Sequence, residues 1–282
     1  MNNHIIVGYG KWAKKVITFL IKNKIVKKLV VITSKKKFLL YPTYKKLNEA
    51  EYKEHFKNCE TAHICSSDLT HLIFFNLFSK NHLKFIVEKP LVVNRNEFNE
   101  LFLSKRNKYL VNYVDLYNSE LNKIVKLLNK LKNKEKNLKI IYSDNSHKYK
   151  KKNKLIYNWL DHPLAITLFL NKKFSEFTIN NYDSKKNKGI FKEYIDIRYK
   201  YKKTKITFVI TNNFKKKRMI LLKTQNLKYQ FNLSKRKSIK DTSFYRLYNN
   251  LLNVEKSKFR FNSNFHKKII NEKEKILNHI NK

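Results

Sequence analysis

Only three glycines occur in this 282-residue chain, and two of them, Gly8 and Gly10, stand two positions apart directly after the apolar run Ile5-Ile6-Val7. An average composition would supply about 20 glycines, so their concentration in one loop constrains the fold more than any other feature. Ala13, one of four alanines, and Trp12, one of two tryptophans, follow at once. Ile5-Ile6-Val7 reads as a short buried strand, and Trp12 to Asn23 repeats apolar residues (Val16, Phe19, Leu20) at helical spacing. A strand, a glycine turn and a helix form the setting in which G-x-G-x-x-A binds a dinucleotide. Gly8 makes the turn, Gly10 lets the backbone approach a pyrophosphate, and Ala13 permits close packing of helix on strand. The helix start, with Lys11 and Trp12, would offer free N–H groups and a positive dipole end to the phosphates.

Further strands are expected at Lys28 to Ser34, Thr61 to Ser66, Leu83 to Val87 and Lys108 to Val114, with helices at about 69–80 and 94–105. Strands alternating with helices predict a doubly wound parallel sheet, a Rossmann domain over residues 1–115. The second strand ends in Thr33-Ser34-Lys35-Lys36-Lys37, without the Asp or Glu that grips a ribose 2′-hydroxyl. A hydroxyl followed by cations suits a 2′-phosphate, so Ser34 and Lys35 favour NADP(H) over NAD(H).

The pattern changes in residues 116–282. One helix is expected at about 117–132. Period-two runs follow at Phe177 to Tyr182, Tyr194 to Tyr201, Lys205 to Thr211, Arg218 to Lys223 and Tyr229 to Leu233, the pattern of an antiparallel sheet covered on one face. Phe244 to Val254 and Phe265 to Ile280 read as closing helices.

The formal charge, 63 − 21 = +42, would by itself suggest a polyanion partner. The excess is mostly lysine, however, and it accompanies abundant Asn, Ile, Tyr and Phe in a chain poor in Gly, Pro, Trp and Ala. That profile fits drift toward A/T-rich codons, with the charge spread along the chain in short runs. No zinc pattern, aromatic RNA-binding motif or helix-turn-helix signature supports a nucleic-acid partner. Cys59 and Cys65 form neither a metal pattern nor a disulfide framework, which points to a reducing compartment. With no signal-peptide pattern and no apolar run of about 18 residues, a soluble, cytoplasmic protein without a membrane partner is expected.

Scarce residues gather at two further places. Glu88-Lys89-Pro90 follows the fourth strand, and Tyr157-Asn158-Trp159-Leu160-Asp161-His162-Pro163-Leu164-Ala165 holds the second Trp, another Pro and another Ala. With these motifs in order, the chain resembles the Gfo/Idh/MocA family, the glucose–fructose oxidoreductase and inositol dehydrogenase-like enzymes. The glycine loop matches Gly8, Gly10 and Ala13; the E-K-P hallmark matches Glu88, Lys89 and Pro90. The small hydroxyl residues after the third strand, with a His on the next helix, match Ser66, Ser67 and His71. The D-x-x-x-H helix start aligns on Asn158 and His162. The resemblance implies a second domain with an open, mostly antiparallel sheet, α+β in class, that binds substrate and pairs copies into a homodimer or homotetramer.

The resemblance further implies a dehydrogenase or reductase of CH–OH groups in a sugar, nucleotide sugar or polyol. Its catalytic residues would be Lys89 and His162, and a cofactor would be held by the glycine loop, Ser34, Lys35, Ser66, Ser67, His71 and Glu88. A histidine suits proton exchange with a hydroxyl near neutral pH, and Lys89 can hydrogen-bond the reacting oxygen. Asn158 departs from the family's Asp, while an acid stands at Asp161 instead. Asn158, Asp161 and Tyr113 are the candidate substrate contacts, with core packing the competing role for Tyr113, helix capping for Asp161 and helix packing for His71. Two alternatives remain: a basic polyanion-binding protein, and a nucleotide-binding relative without turnover.

Overall fold

The structure is a computed structural model describing residues 2–33, 43–44, 59–79, 84–101, 108–143, 150–152, 154–171, 173–213, 215–234, 246–247 and 263–281. The chain divides into two compact units. The first comprises Met1–Asn112 and Phe259–Ile270, the second Tyr113–Lys258 and Asn271–Lys282.

In the first unit, six strands form one sheet: β1 (Asn2–Val7), β2 (Val26–Ile32), β3 (Thr43–Tyr44), β4 (Thr61–Ile64), β5 (Lys84–Val87) and β6 (Lys108–Val111). Their order is β3-β2-β1-β4-β5-β6 and every pairing is parallel. This is the doubly wound order, and its direction of winding reverses between β1 and β4. Parallel strands covered on both faces are mostly apolar, so Ile5, Ile6, Val7, Leu29 to Ile32, Ile64 and Phe85 to Val87 are all buried. The two histidines buried with them, His4 and His63, partner each other at 2.9 Å. Helix α1 (Lys11–Lys22) buries Ala13, Val16, Ile17, Phe19 and Leu20 and turns its lysines to solvent.

A 3₁₀ turn at Asp68–Thr70 leads into α2 (His71–Ser79), as expected. α3 (Arg95–Asn99) is shorter than expected; residues 102–107 lie outside the described set. The two-residue β3 has no counterpart in the sequence pattern, and the expected strands end earlier in the fold, at Ile32, Ile64 and Val111.

The second unit begins with a 3₁₀ turn at Val114–Tyr117 and helix α4 (Ser119–Lys130), whose first turn is capped by Asn118 Oδ1 accepting from Glu120 N–H at 2.9 Å. Its sheet contains β7 (Lys136–Ser143), β8 (Phe177–Asn187), β9 (Ile190–Tyr201), β10 (Thr204–Thr211), β11 (Lys217–Lys223) and β12 (Lys228–Asn232), in the order β12-β11-β7-β10-β9-β8. All neighbours are antiparallel except β7 and β10, which run parallel. The sheet is therefore mostly antiparallel, with one central strand, β7, that the sequence reading did not assign. Ile140, Tyr142, Ile195, Ile197, Tyr199, Phe208, Ile210, Ile220 and Leu222 form its buried face.

Helix α5 (Lys154–Trp159) packs on β9 and β10. It gives way to α6 (Asp161–Asn171), which is buried from Asp161 to Leu168. Leu160 and Leu164 keep helical bonds to Ile156 and Leu160, but Pro163 has no N–H to give the Trp159 carbonyl, and the helix breaks between these residues. The C-terminal helix α7 (Ser263–Ile280) matches its expected place; the other expected closing helix, Phe244 to Val254, lies almost wholly outside the described residues. Among the described residues no helix is long and apolar enough to cross a membrane.

Candidate active site

In the first unit, the glycine loop leaves β1 at the sheet's reversal point, where α/β sheets bind ligands beyond the carboxyl ends of their strands. Gly8 donates its N–H to Ile32 O at 2.7 Å and has φ +95°. A Cβ there would lie 2.7 Å from Cys65 O on the neighbouring loop, so only glycine fits. Gly10 is different: its φ of −78° suits any residue, and a Cβ would meet nothing within 4 Å. It occupies the cap position of α1 without a side-chain cap, so no side chain covers the first amides of the helix from that position. Ala13 is fully buried against the sheet, Trp12 partly so, and Lys11 is exposed.

Ser66, Ser67 and His71 follow β4 beside this loop. Thr70 Oγ1 donates to Ser66 Oγ at 2.8 Å. The His71 ring is buried between two carbonyls, with Nδ1 2.6 Å from Pro90 O and Nε2 3.2 Å from Ser66 O, which ties the loop after β4 to the loop after β5. Glu88, Lys89 and Pro90 form that second loop, with a cis bond between Lys89 and Pro90. The Glu88 carboxylate accepts from the Asn112 amide at the end of β6. The first unit thus gathers Gly8, Gly10, Ser66, His71, Glu88 and Lys89 beyond the carboxyl ends of β1, β4 and β5. Ser34 and Lys35 lie outside the described residues.

Burial pushes the Glu88 carboxyl up to about 7, against the opposing influence of Asn112, the Lys89 charge and the Trp12 indole. The folded state therefore holds a proton on Glu88 between the ordinary carboxylate range and pH 7, where the unfolded chain has lost it. The Glu88 contribution to stability falls as pH rises through that interval and levels off above pH 7. The buried His4 and His63, held below the ordinary histidine range, contribute in the opposite direction. Glu88→Gln removes this slope and is more stable than the parent at pH 8, as measured by urea denaturation at several pH values.

The second unit assembles a different cluster. His162, in the first turn of α6, places Nδ1 2.8 Å from Asp115 Oδ2 in the 3₁₀ turn. The Tyr142 hydroxyl on β7 donates to the same oxygen at 2.6 Å, and Arg218 on β11 approaches Oδ1 at 3.4 Å. Burial alone would raise the Asp115 carboxyl, yet His162, Arg218 and Tyr142 together hold it well below the usual carboxylate range. Tyr142 stacks on His162 at 5.4 Å with 17° between planes, Trp159 meets His162 tilted by 39° at 5.7 Å, and the Arg218 guanidinium lies over Trp159 at 4.8 Å. Seven arginines stand among the 63 basic residues, and this one occupies a position where a planar, stackable cation has a use.

Asp161 forms a buried ion pair with Lys273 at 3.0 Å, and that ammonium also lies 4.0 Å from the centroid of the Tyr157 ring. Tyr113 is buried at the start of the 3₁₀ turn, and Asn158 is partly buried on α5. Asp115, Tyr142 and Arg218 escaped the sequence reading. An acid inside the aromatic and apolar stretch Tyr113-Val114-Asp115-Leu116-Tyr117, in a chain with 21 acidic residues, was the signal available.

No family profile and no curated protein matches the sequence. Solved structures do match the fold over nearly the whole chain. A Gfo/Idh/MocA family oxidoreductase from Vibrio cholerae superposes with a TM-score of 0.73 at 13% identity, covering 100% of both chains. The chain has the fold of the Gfo/Idh/MocA oxidoreductases. A myo-inositol dehydrogenase from Corynebacterium glutamicum reaches a TM-score of 0.76 at 11% identity, covering 99% of this chain and 96% of its own. The WlbA dehydrogenase from Thermus thermophilus, solved with NAD and UDP-GlcNAcA, reaches 0.69 at 13% identity, covering 97% and 94%.

Proposed function

We propose that this protein is a nicotinamide-dependent oxidoreductase acting on a CH–OH or carbonyl group of a sugar, nucleotide sugar or polyol. Gly10 carries the reading. Neither its torsion angles nor any neighbouring atom within 4 Å requires glycine there, and Asn or Ser would cap the helix better. A chain with three glycines keeps one at this place because a ligand needs the backbone bare. The uncapped amides of α1 and its dipole suit a pyrophosphate. The dehydrogenases that share the fold, one of them solved with NAD and a nucleotide sugar, support the same reading.

Gly8, Gly10, Lys11, Trp12 and Ala13 would hold the dinucleotide, with Ser66, Ser67, His71 and Glu88 beside it and Ser34 and Lys35 at the ribose. Bound nicotinamide would give or take the hydride. His162 exchanges the hydroxyl proton, Lys89 hydrogen-bonds the reacting oxygen, and Asn158, Asp161 and Tyr113 belong to the substrate side. The protein works on a small sugar-like molecule, without a nucleic-acid or membrane partner, as a cytoplasmic homo-oligomer.

Fluorescence titration with NADPH and NADH tests the reading. Both bind at submillimolar concentration, NADPH more tightly because Ser34 and Lys35 favour a 2′-phosphate. If neither binds below millimolar, the oxidoreductase reading fails; if NADH binds more tightly, only the preference is overturned.

A further inference from the structure

The cluster around His162 carries an assignment that depends on the oxidoreductase reading only for the reaction it serves. We propose that Asp115 is the positioning residue of His162: its carboxylate holds Nδ1 as the N–H donor and leaves Nε2 as the nitrogen that exchanges a proton with substrate. In the family that the sequence resembles, an Asp is common at the position of Asn158. Here a carboxylate reaches the histidine from a separate segment, the 3₁₀ turn after β6.

The geometry supports this in three ways. An ionised carboxylate can only accept, so Nδ1, the ring nitrogen 2.8 Å from Asp115 Oδ2, is the one on which a proton is favoured, although the approach is that of an ion pair and lacks the alignment of a hydrogen bond. The carboxylate is itself fixed, since Oδ2 also accepts from Tyr142 at 2.6 Å and Oδ1 faces Arg218 at 3.4 Å. Both partners are buried, Asp115 at 4% and His162 at 6% exposure, so water does not compete strongly for the contact. The Tyr142 and Trp159 rings against the imidazole resist its rotation.

The other charged groups nearby are accounted for. Asp161, beside His162 on α6, is taken by Lys273 of α7 at 3.0 Å. Among the described residues, Asp115 from the 3₁₀ turn and Tyr142 from β7 contact the imidazole, and Arg218 from β11 contacts Asp115 and the Tyr142 and Trp159 rings. Arg218 and Tyr142 act through Asp115, keeping it ionised.

Nitrogen-15 NMR of the full-length protein labelled at histidine tests this directly, with His162→Gln identifying the resonances. In the parent protein, neutral His162 is the Nδ1–H tautomer. Asp115→Asn lowers the midpoint of its titration by about 1 pH unit or more, the effect of losing a contacting carboxylate. An Nε2–H tautomer in the parent protein, or an unchanged midpoint in Asp115→Asn, overturns the assignment. The parent measurement decides the matter even if Asp115→Asn does not fold. Neither measurement uses cofactor or substrate, so a failed cofactor titration would remove the oxidoreductase reading while leaving this result standing, and the reverse holds equally.

Discussion

Glutamine in place of His162 lowers turnover by about 10²–10⁴-fold, the usual contribution of a positioned acid–base group, while cofactor binding is unchanged. The two effects separate because the residues proposed to hold the dinucleotide lie in the first unit, on the loops after β1, β4 and β5, whereas His162 belongs to the second. Glutamine approximates the size of histidine and can still hydrogen-bond Asp115, so packing is largely kept. It cannot gain or lose a proton near neutral pH, and that capacity is what the substitution removes. Lys89→Met, in the first unit, also lowers turnover if Lys89 is, as proposed, a charged donor to the reacting oxygen. Absorbance assays with NADPH over a panel of polyols and nucleotide sugars provide the measurement. A His162→Gln enzyme as fast as the parent would discard the proposed role.

Methionine in place of Lys273 destabilises the second unit by about 3–5 kcal/mol, the range seen when one partner of a buried ion pair is removed. Lys273 and Asp161 are 2% and 3% exposed, and their 3.0 Å contact sits where neither charge can be hydrated. Removing the ammonium takes the facing cation from the buried Asp161 carboxylate and from the Tyr157 ring. The double substitution Asp161→Leu, Lys273→Met recovers much of the loss, because apolar pairs of similar volume are often as stable as the ions they replace. Denaturant melts of parent, single and double variants give the comparison. A single variant within about 0.5 kcal/mol of the parent, as expected for an exposed site, would mean that water reaches the carboxylate.

The parallel sheet was readable because its strands are buried on both faces, so each appears as a compact apolar run between a turn and a helix. The strands β8 to β12 were readable because hairpins join neighbours and one covered face imposes alternation. Strand β7 was not. Its sequence, Lys-Asn-Leu-Lys-Ile-Ile-Tyr-Ser, opens on a buried lysine, and its partners β10 and β11 lie more than 60 residues further along the chain. No local signal announces a strand whose pairing is entirely distant. The same distance hid the partner of His162. The histidine was marked by its motif, but Asp115 precedes it by 47 positions, and only the packing of α6 against the 3₁₀ turn brings the two together.

Lysine stands in two places where a chain richer in glycine would put glycine. Lys24 has φ +52° just after α1, where its N–H bonds Ile21 O and the next N–H reaches back to Leu20 O, closing the helix end in the manner usually left to glycine. Lys188 has φ +47° in the turn between β8 and β9. Each left-handed lysine costs about 1 kcal/mol or more. Such a cost is tolerable one site at a time, whereas a side chain at Gly8 would collide with the Cys65 backbone. Collision therefore excludes a side chain at position 8, whereas lysine at positions 24 and 188 meets strain alone. An engineer seeking a sturdier version would begin by placing glycine at positions 24 and 188, where the backbone already adopts the angles that glycine favours.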